Sequence, residues 1–325
     1  MTAQRKIRLA LVGCGEHAEV GHAIPLARYK SAHPETIELG AACDLELERA
    51  QRFCSQHDFQ TAYCDIGEML SREEIDGCIM VVPPGRISEV GITLLQRSIP
   101  CVVEKPLGAT RSEVKALRTA ATLCGTANMV SVNRRFMPSL NRALEWARKV
   151  GPIRYVRSTM TRHARSEPEF IWATAVHAVD TLRYIGGNVE GFDWGRVCSR
   201  ADSTQWYSIQ LHFQSGMEGR VDVLPTAGML EETYDLFGDG FRVSVICPFG
   251  RNRGWVAYRD RVVVAEEFAP PDMPEDVLNG CYAETAAFIE ALRDGQTLQP
   301  SIADVAPSVE ICMSIAESVK GGASK

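Results

Sequence analysis

Residues 7–18 read Ile7-Arg8-Leu9-Ala10-Leu11-Val12-Gly13-Cys14-Gly15-Glu16-His17-Ala18, and this stretch decides the fold. A short apolar run that does not alternate is the pattern of a strand buried on both faces. Gly13 would permit a tight turn, and Gly15 would let the backbone approach a pyrophosphate. The helix that follows would offer unpaired N–H groups and the positive end of its dipole. The third glycine position is Ala18, which still allows close helix-strand packing. Glycine spacing alone is weak, but the flanking strand and helix supply the context the motif demands. The stretch predicts a dinucleotide-binding Rossmann unit with Gly13, Cys14, Gly15, Glu16 and His17 at the cofactor.

Working outward, the next apolar run, 37–43, ends at Asp44. A carboxylate there accepts hydrogen bonds from adenosine ribose hydroxyls and repels a 2′-phosphate, so NAD is expected and NADP disfavoured. The interval from Gly15 is longer than usual, and the turn-like SAHPETIEL absorbs the excess. A helix N-cap is the plainer role open to Asp44.

The rest of the first part alternates strands and helices, the signature of repeated βαβ units. Strands are expected at 7–12, 37–43, 77–82, 99–103 and 128–132, and helices at 18–30, 46–57, 87–97 and 112–124. The sheet should be parallel and doubly wound. A connecting helix near 139–149 ends at Gly151-Pro152, a stop signal. Beyond it the texture changes to strands rich in β-branched and aromatic residues, at 153–162, 206–213, 217–224, 241–246 and 262–265, with helices at 171–184, 281–293 and 302–319. The expected fold class is α/β: residues 1–132 form the Rossmann domain, and 150–325 an α+β domain with a mostly antiparallel open sheet.

Composition agrees with an ordinary globular enzyme, with 45% hydrophobic and 23% charged residues. A net charge of -6 gives no electrostatic reason to expect nucleic acid or an anionic membrane. No apolar run reaches the roughly 18 residues that span a bilayer, and the N-terminal run is better read as a buried strand than as a signal peptide. The expected location is the cytoplasm. The eleven cysteines are irregularly spaced without a CxxC, which argues against zinc and a disulfide framework and for buried thiols.

Further motifs narrow the reading. The chain reads GCIMVVPPGRISEV over 77–90 and IPCVVEKPLGAT over 99–110. With VNRRF at 132–136 and VHAVDTLRYIGG at 176–187, these resemble the glucose-fructose oxidoreductase / inositol dehydrogenase / rhizopine catabolism family along nearly the whole chain. The resemblance implies a dehydrogenase or reductase that moves a hydride to or from the carbinol carbon of a sugar, polyol or related compound. It needs no metal, and a homodimer or homotetramer is implied. Lys105 of the Glu104-Lys105-Pro106 tripeptide would touch both substrate and nicotinamide and handle the hydroxyl proton. Val82, Pro83, Glu104, Asn133 and Arg135 would join the glycine turn around the cofactor.

The family's DxGxHxxD pattern is incomplete: His177 and Asp180 match, one helical turn apart, but Ala173 stands for the first Asp and Ala175 for the Gly. His177 is expected to be catalytic with Lys105, and both to contact the substrate with Asp180. Arg162, Trp172 and Tyr282 are further substrate candidates, although a solvated strand end or a core position explains them too. His17 and His22 are read as facing the cofactor turn and helix surface without chemistry of their own. The missing carboxylate leaves two rivals: a non-catalytic NAD(P)-binding sensor, and a hydrolase or lyase that oxidises the sugar transiently.

Overall fold

The computed structural model describes residues 5–199 and 205–320. It divides into two units, Met1–Val132 with Cys281–Pro307, and Asn133–Gly280 with Ser308–Lys325.

The first unit is built on six parallel strands: β1 (Ile7–Val12), β2 (Ile37–Cys43), β3 (Thr61–Tyr63), β4 (Gly77–Met80), β5 (Cys101–Glu104) and β6 (Asn128–Ser131). Their order is β3-β2-β1-β4-β5-β6, the doubly wound Rossmann order. β4 and β5 are wholly buried, as their unbroken apolar runs require. The order reverses between β1 and β4, and their carboxyl ends place Gly13 against Val81. That reversal is where such sheets bind ligands. The helices are capped by sequence: Asp65 accepts from the Glu68 N–H at 2.7 Å, and Thr110 with Glu113 forms a capping box. β3 and the helix Ile66–Arg72 were not expected; three and seven residues are too short for periodicity to reveal.

The chain comes back to this unit over Cys281–Pro307, a correction to the continuous second domain expected over 150–325. The helix Cys281–Asp294 lies against β4, where a Cβ at Gly77 would stand 2.7 Å from Leu292 and 2.9 Å from Phe288. Leucine and phenylalanine thus fill the space that glycine leaves.

The second unit carries eight strands: β7 (Ile153–Thr161), β8 (Val189–Ser199), β9 (Gln205–Phe213), β10 (Glu218–Leu224), β11 (Glu231–Gly238), β12 (Phe241–Ile246), β13 (Gly254–Arg259) and β14 (Val262–Phe268). Their order is β14-β13-β12-β11-β7-β10-β9-β8, antiparallel except for the β7–β10 pair. Strict alternation along β9 and β10 shows one face turned to the core. Helix Val176–Gly186 packs on β7 and β10, and helix Pro138–Val150 on β12 and β13.

Three strands were not expected, for physical reasons. β8 carries Gly191 and Gly195, β13 opens on Gly254, and β11 buries Glu232 and Asp235 beside arginine partners. The helix expected over 171–184 is two pieces, Phe170–Ala173 and Val176–Gly186; the N–H groups of Thr174 and Ala175 both return to the Phe170 carbonyl and close the first piece. Ten cysteines are free among the described residues, eight of them buried. No helix among the described residues is long and apolar enough to cross a membrane.

Candidate active site

In the first unit the site grows from the glycine turn. Gly13 has φ +94°, and a Cβ there would sit 2.0 Å from the Val81 carbonyl oxygen, so only glycine fits. Its N–H donates to the Cys43 carbonyl at 2.7 Å, and the Cys14 N–H donates to Asp44 Oδ2 at 2.9 Å. The other Asp44 oxygen accepts from the Glu46 N–H at 3.0 Å and from Arg49 Nη1 at 3.1 Å. The carboxylate is therefore held at both oxygens, at the edge of a cavity of about 330 Å³ that Gly13, Arg49, Val82, Pro83 and Arg86 also line. Cys14 is buried, and burial with the Asp44 charge pushes its thiol up, so it is inert packing. Glu16 is exposed on the first helical turn.

Glu104, the last residue of β5, is buried, and two histidines meet it: His22 Nε2 lies 2.8 Å and His17 Nε2 3.2 Å from Oε1. Burial alone would raise this carboxyl; the charges and hydrogen bonds of His17 and His22 outweigh it and hold the group well below the usual carboxylate range. Lys105 follows directly and is half-buried, with a cis peptide to Pro106. Sequence reasoning put His22 on the helix surface; it is 2% exposed. The five-residue spacing His17 to His22 was the available signal.

In the second unit, Asn133–Phe136 forms a 3₁₀ turn with three different destinations. Asn133 donates to the Asn279 carbonyl at 2.8 Å. Arg134 makes a two-pronged pair with Glu232, at 3.1 and 2.9 Å. Arg135 does the same with Asp180, at 2.7 Å to each oxygen, and Ser308 adds a third bond at 2.7 Å. Asp180 is thus an internal anchor, with both oxygens taken, and Arg135 is turned to it. Arg162 is also drawn inward: it joins Arg134 on Glu232, and both guanidiniums lie over the Phe249 ring, at 5.2 and 5.4 Å. Burial would raise the Glu232 carboxyl, and the two arginines lower it.

His177 is buried in the first turn of its helix, two residues after Ala175. Trp172 is half-buried on the preceding helical piece, whereas His163 and Arg165 are exposed, Arg165 pairing with Glu167. Tyr282 lies in the first unit. The structure thus gathers Gly13, Asp44, Val82 and Pro83 at one cavity, with Cys14 tied to it through its N–H on Asp44, and His17 with Glu104 beside Lys105. Arg49, His22, Arg134 and Glu232 were missed.

Residues 7–133 match the family described as oxidoreductase family, NAD-binding Rossmann fold. The chain is 25% identical to 4-carboxy-2-hydroxymuconate-6-semialdehyde dehydrogenase of a Sphingobium species, over 92% of this chain and 94% of that one. It superposes on an Agrobacterium radiobacter oxidoreductase solved with NAD+, L-tartaric acid and magnesium, with a TM-score of 0.83, 16% identity and 98% and 97% coverage. A Corynebacterium glutamicum myo-inositol dehydrogenase gives a TM-score of 0.76 with 21% identity over 98% and 97%. With its glycine turn, its Glu104-Lys105-Pro106 strand end and its open second sheet, the chain resembles the Gfo/Idh/MocA oxidoreductases, and its residues 7–133 match that family's NAD-binding Rossmann fold.

Proposed function

We propose that the protein is an NAD(H)-dependent dehydrogenase that moves a hydride to or from a carbinol carbon of a sugar, polyol or related hydroxy or keto compound. The observation that supports a preference for NAD is Asp44: a buried carboxylate held at both oxygens lines the cavity beside the glycine turn, where its charge would oppose a 2′-phosphate. The residues fit a dinucleotide, since the tight Gly13 turn and the open approach at Gly15, where the helix start has no side-chain cap, suit a pyrophosphate. When bound, the nicotinamide supplies the hydride acceptor or donor.

The chain supplies the proton chemistry. In the oxidative direction Lys105 Nζ accepts the hydroxyl proton as the carbinol carbon becomes a carbonyl; in reduction it returns that proton to the oxygen. His177 assists as second proton carrier or substrate anchor, and proton transfer through a single positioned group contributes about 10²- to 10⁴-fold. The names of the relatives support a hydroxylated substrate. Assembly as a homodimer or homotetramer belongs to the same reading.

The test is a fluorescence titration with NADH and NADPH, followed by a screen of polyols and sugars. Micromolar NADH binding, weaker NADPH binding and turnover abolished in Lys105→Ala are expected. Failure of the wild-type protein to bind either cofactor would sink the reading.

A further inference from the structure

The helix after the glycine turn is irregular. Glu16–Ala18 is α-helical, Glu19–Ala23 is a π-helical turn closed by the Ile24 N–H on the Glu19 carbonyl, and Ile24–Ala32 is α-helical again. Such turns are rare and recur at functional sites. In a regular α-helix residues five apart diverge by roughly 140°. Here His17 and His22 meet edge to face, with ring centroids 6.3 Å apart, and both reach the same oxygen of Glu104. The extra residue in the turn redirects His22 inward.

Glu104 has few other resources. Its neighbour in sheet register is Ser131, whose hydroxyl is committed to Glu284 at 2.8 Å. Among the described residues, His22 and His17 are the donors that reach its carboxylate. An ionised carboxylate only accepts, so His22 Nε2 must carry the proton between them. A buried carboxylate that loses its donors is costly and moves toward water. Any such movement starts one peptide bond from Lys105.

We propose that His22 and His17 are positioning residues for Lys105: by holding Glu104 from the helix that starts at the glycine turn, they fix the strand end on which the lysine stands. This rests on the reading of Lys105 as the proton-handling group. His22, fully enclosed, sets the position; His17, 60% exposed in its side chain, adjusts it.

The chain has only seven lysines, so reductive ¹³C-dimethylation, which keeps their charge, gives a readable methyl spectrum, with Lys105 assigned by Lys105→Arg. Wild type, His22→Leu, His22→Gln and His17→Ala are compared without cofactor. His22→Leu is expected to move the Lys105 signal by more than a linewidth, His22→Gln, which retains an N–H donor, to restore at least half of the shift, and His17→Ala to give a smaller one. Lys30 and Lys149 should not move. An unmoved Lys105 signal in His22→Leu, or no recovery in His22→Gln, overturns the proposal. Should His22→Leu fail to fold, Glu104→Gln decides in its place, an unmoved signal again overturning the idea. NADH titration of the wild type keeps the two readings apart: absence of binding removes the dehydrogenase reading, while the methyl spectra still decide the positioning of Lys105.

Discussion

The Asp44 carboxylate accepts a hydrogen bond from the Cys14 backbone N–H at 2.9 Å, so the group that would select the cofactor is already tied to the turn that would bind the pyrophosphate. Choice of nucleotide and shape of the turn are therefore one structural element. Asp44→Ala should weaken NADH binding at least tenfold, about 1.4 kcal/mol. It should also release Arg49 from its 3.1 Å contact, leaving Glu46 as the carboxylate that pairs with a guanidinium beside the cavity. The ratio of NADH to NADPH affinity is expected to fall by about 10- to 100-fold, read by paired fluorescence titrations; an unchanged ratio would remove Asp44 from cofactor selection.

Gly13→Ala combines a left-handed φ of +94° with a Cβ 2.0 Å from a carbonyl oxygen. The penalty should reach at least about 2 kcal/mol and abolish NADH binding. A Cβ added at Gly15 would meet nothing within 4 Å, and the φ there is negative, so Gly15→Ala should leave the urea midpoint within error. Equal loss in both variants would refute this distinction.

Glu232 neutralises two buried guanidiniums, and Glu232→Gln should cost about 3 to 5 kcal/mol near neutral pH. Its folded-state pKa is lowered, so its contribution is present above the ordinary carboxylate value, about 4.3, and fades as pH falls through the lower folded value. The gap in unfolding free energy between wild type and Glu232→Gln should be constant from about pH 6 to 8 and shrink below about pH 4. A gap that widens on acidification would contradict the ion-pair account.

Ala173 stands where the family pattern has a carboxylate. Ala173→Asp should raise kcat on any polyol the wild type turns over by about tenfold, within the range of one added proton-transfer group. The gain should vanish in a His177→Ala background. A gain independent of His177 would separate the two positions.

The first sheet was legible because its strands are buried on both faces and read as apolar runs; β1 and β2 match the expected bounds. The acidic strand Glu231–Gly238 was hidden because Glu232 and Asp235 are tolerated through partners on other elements: Arg134, Arg162 and Arg157 from 70 or more residues away, and Arg242 from the next strand. Within the site, the glycine turn and Asp44 were singled out from local spacing, and Glu104 through the resemblance that its tripeptide carries. The inward role of His22 was not, because it depends on a π-helical turn that helical periodicity assumes away. Asp180 matched its motif, yet its partners Arg135 and Ser308 come from 45 and 128 residues away, beyond the reach of pattern reasoning.

The passage of the chain out of the first unit after Val132 and back over Cys281–Pro307 makes the protein poorly modular. A fragment ended at residue 132 would leave Gly77 facing solvent where Phe288 and Leu292 belong. Exchange of the nucleotide-binding half between relatives must carry two separate segments of the gene, and a cut made at one boundary alone severs a unit from part of its own core.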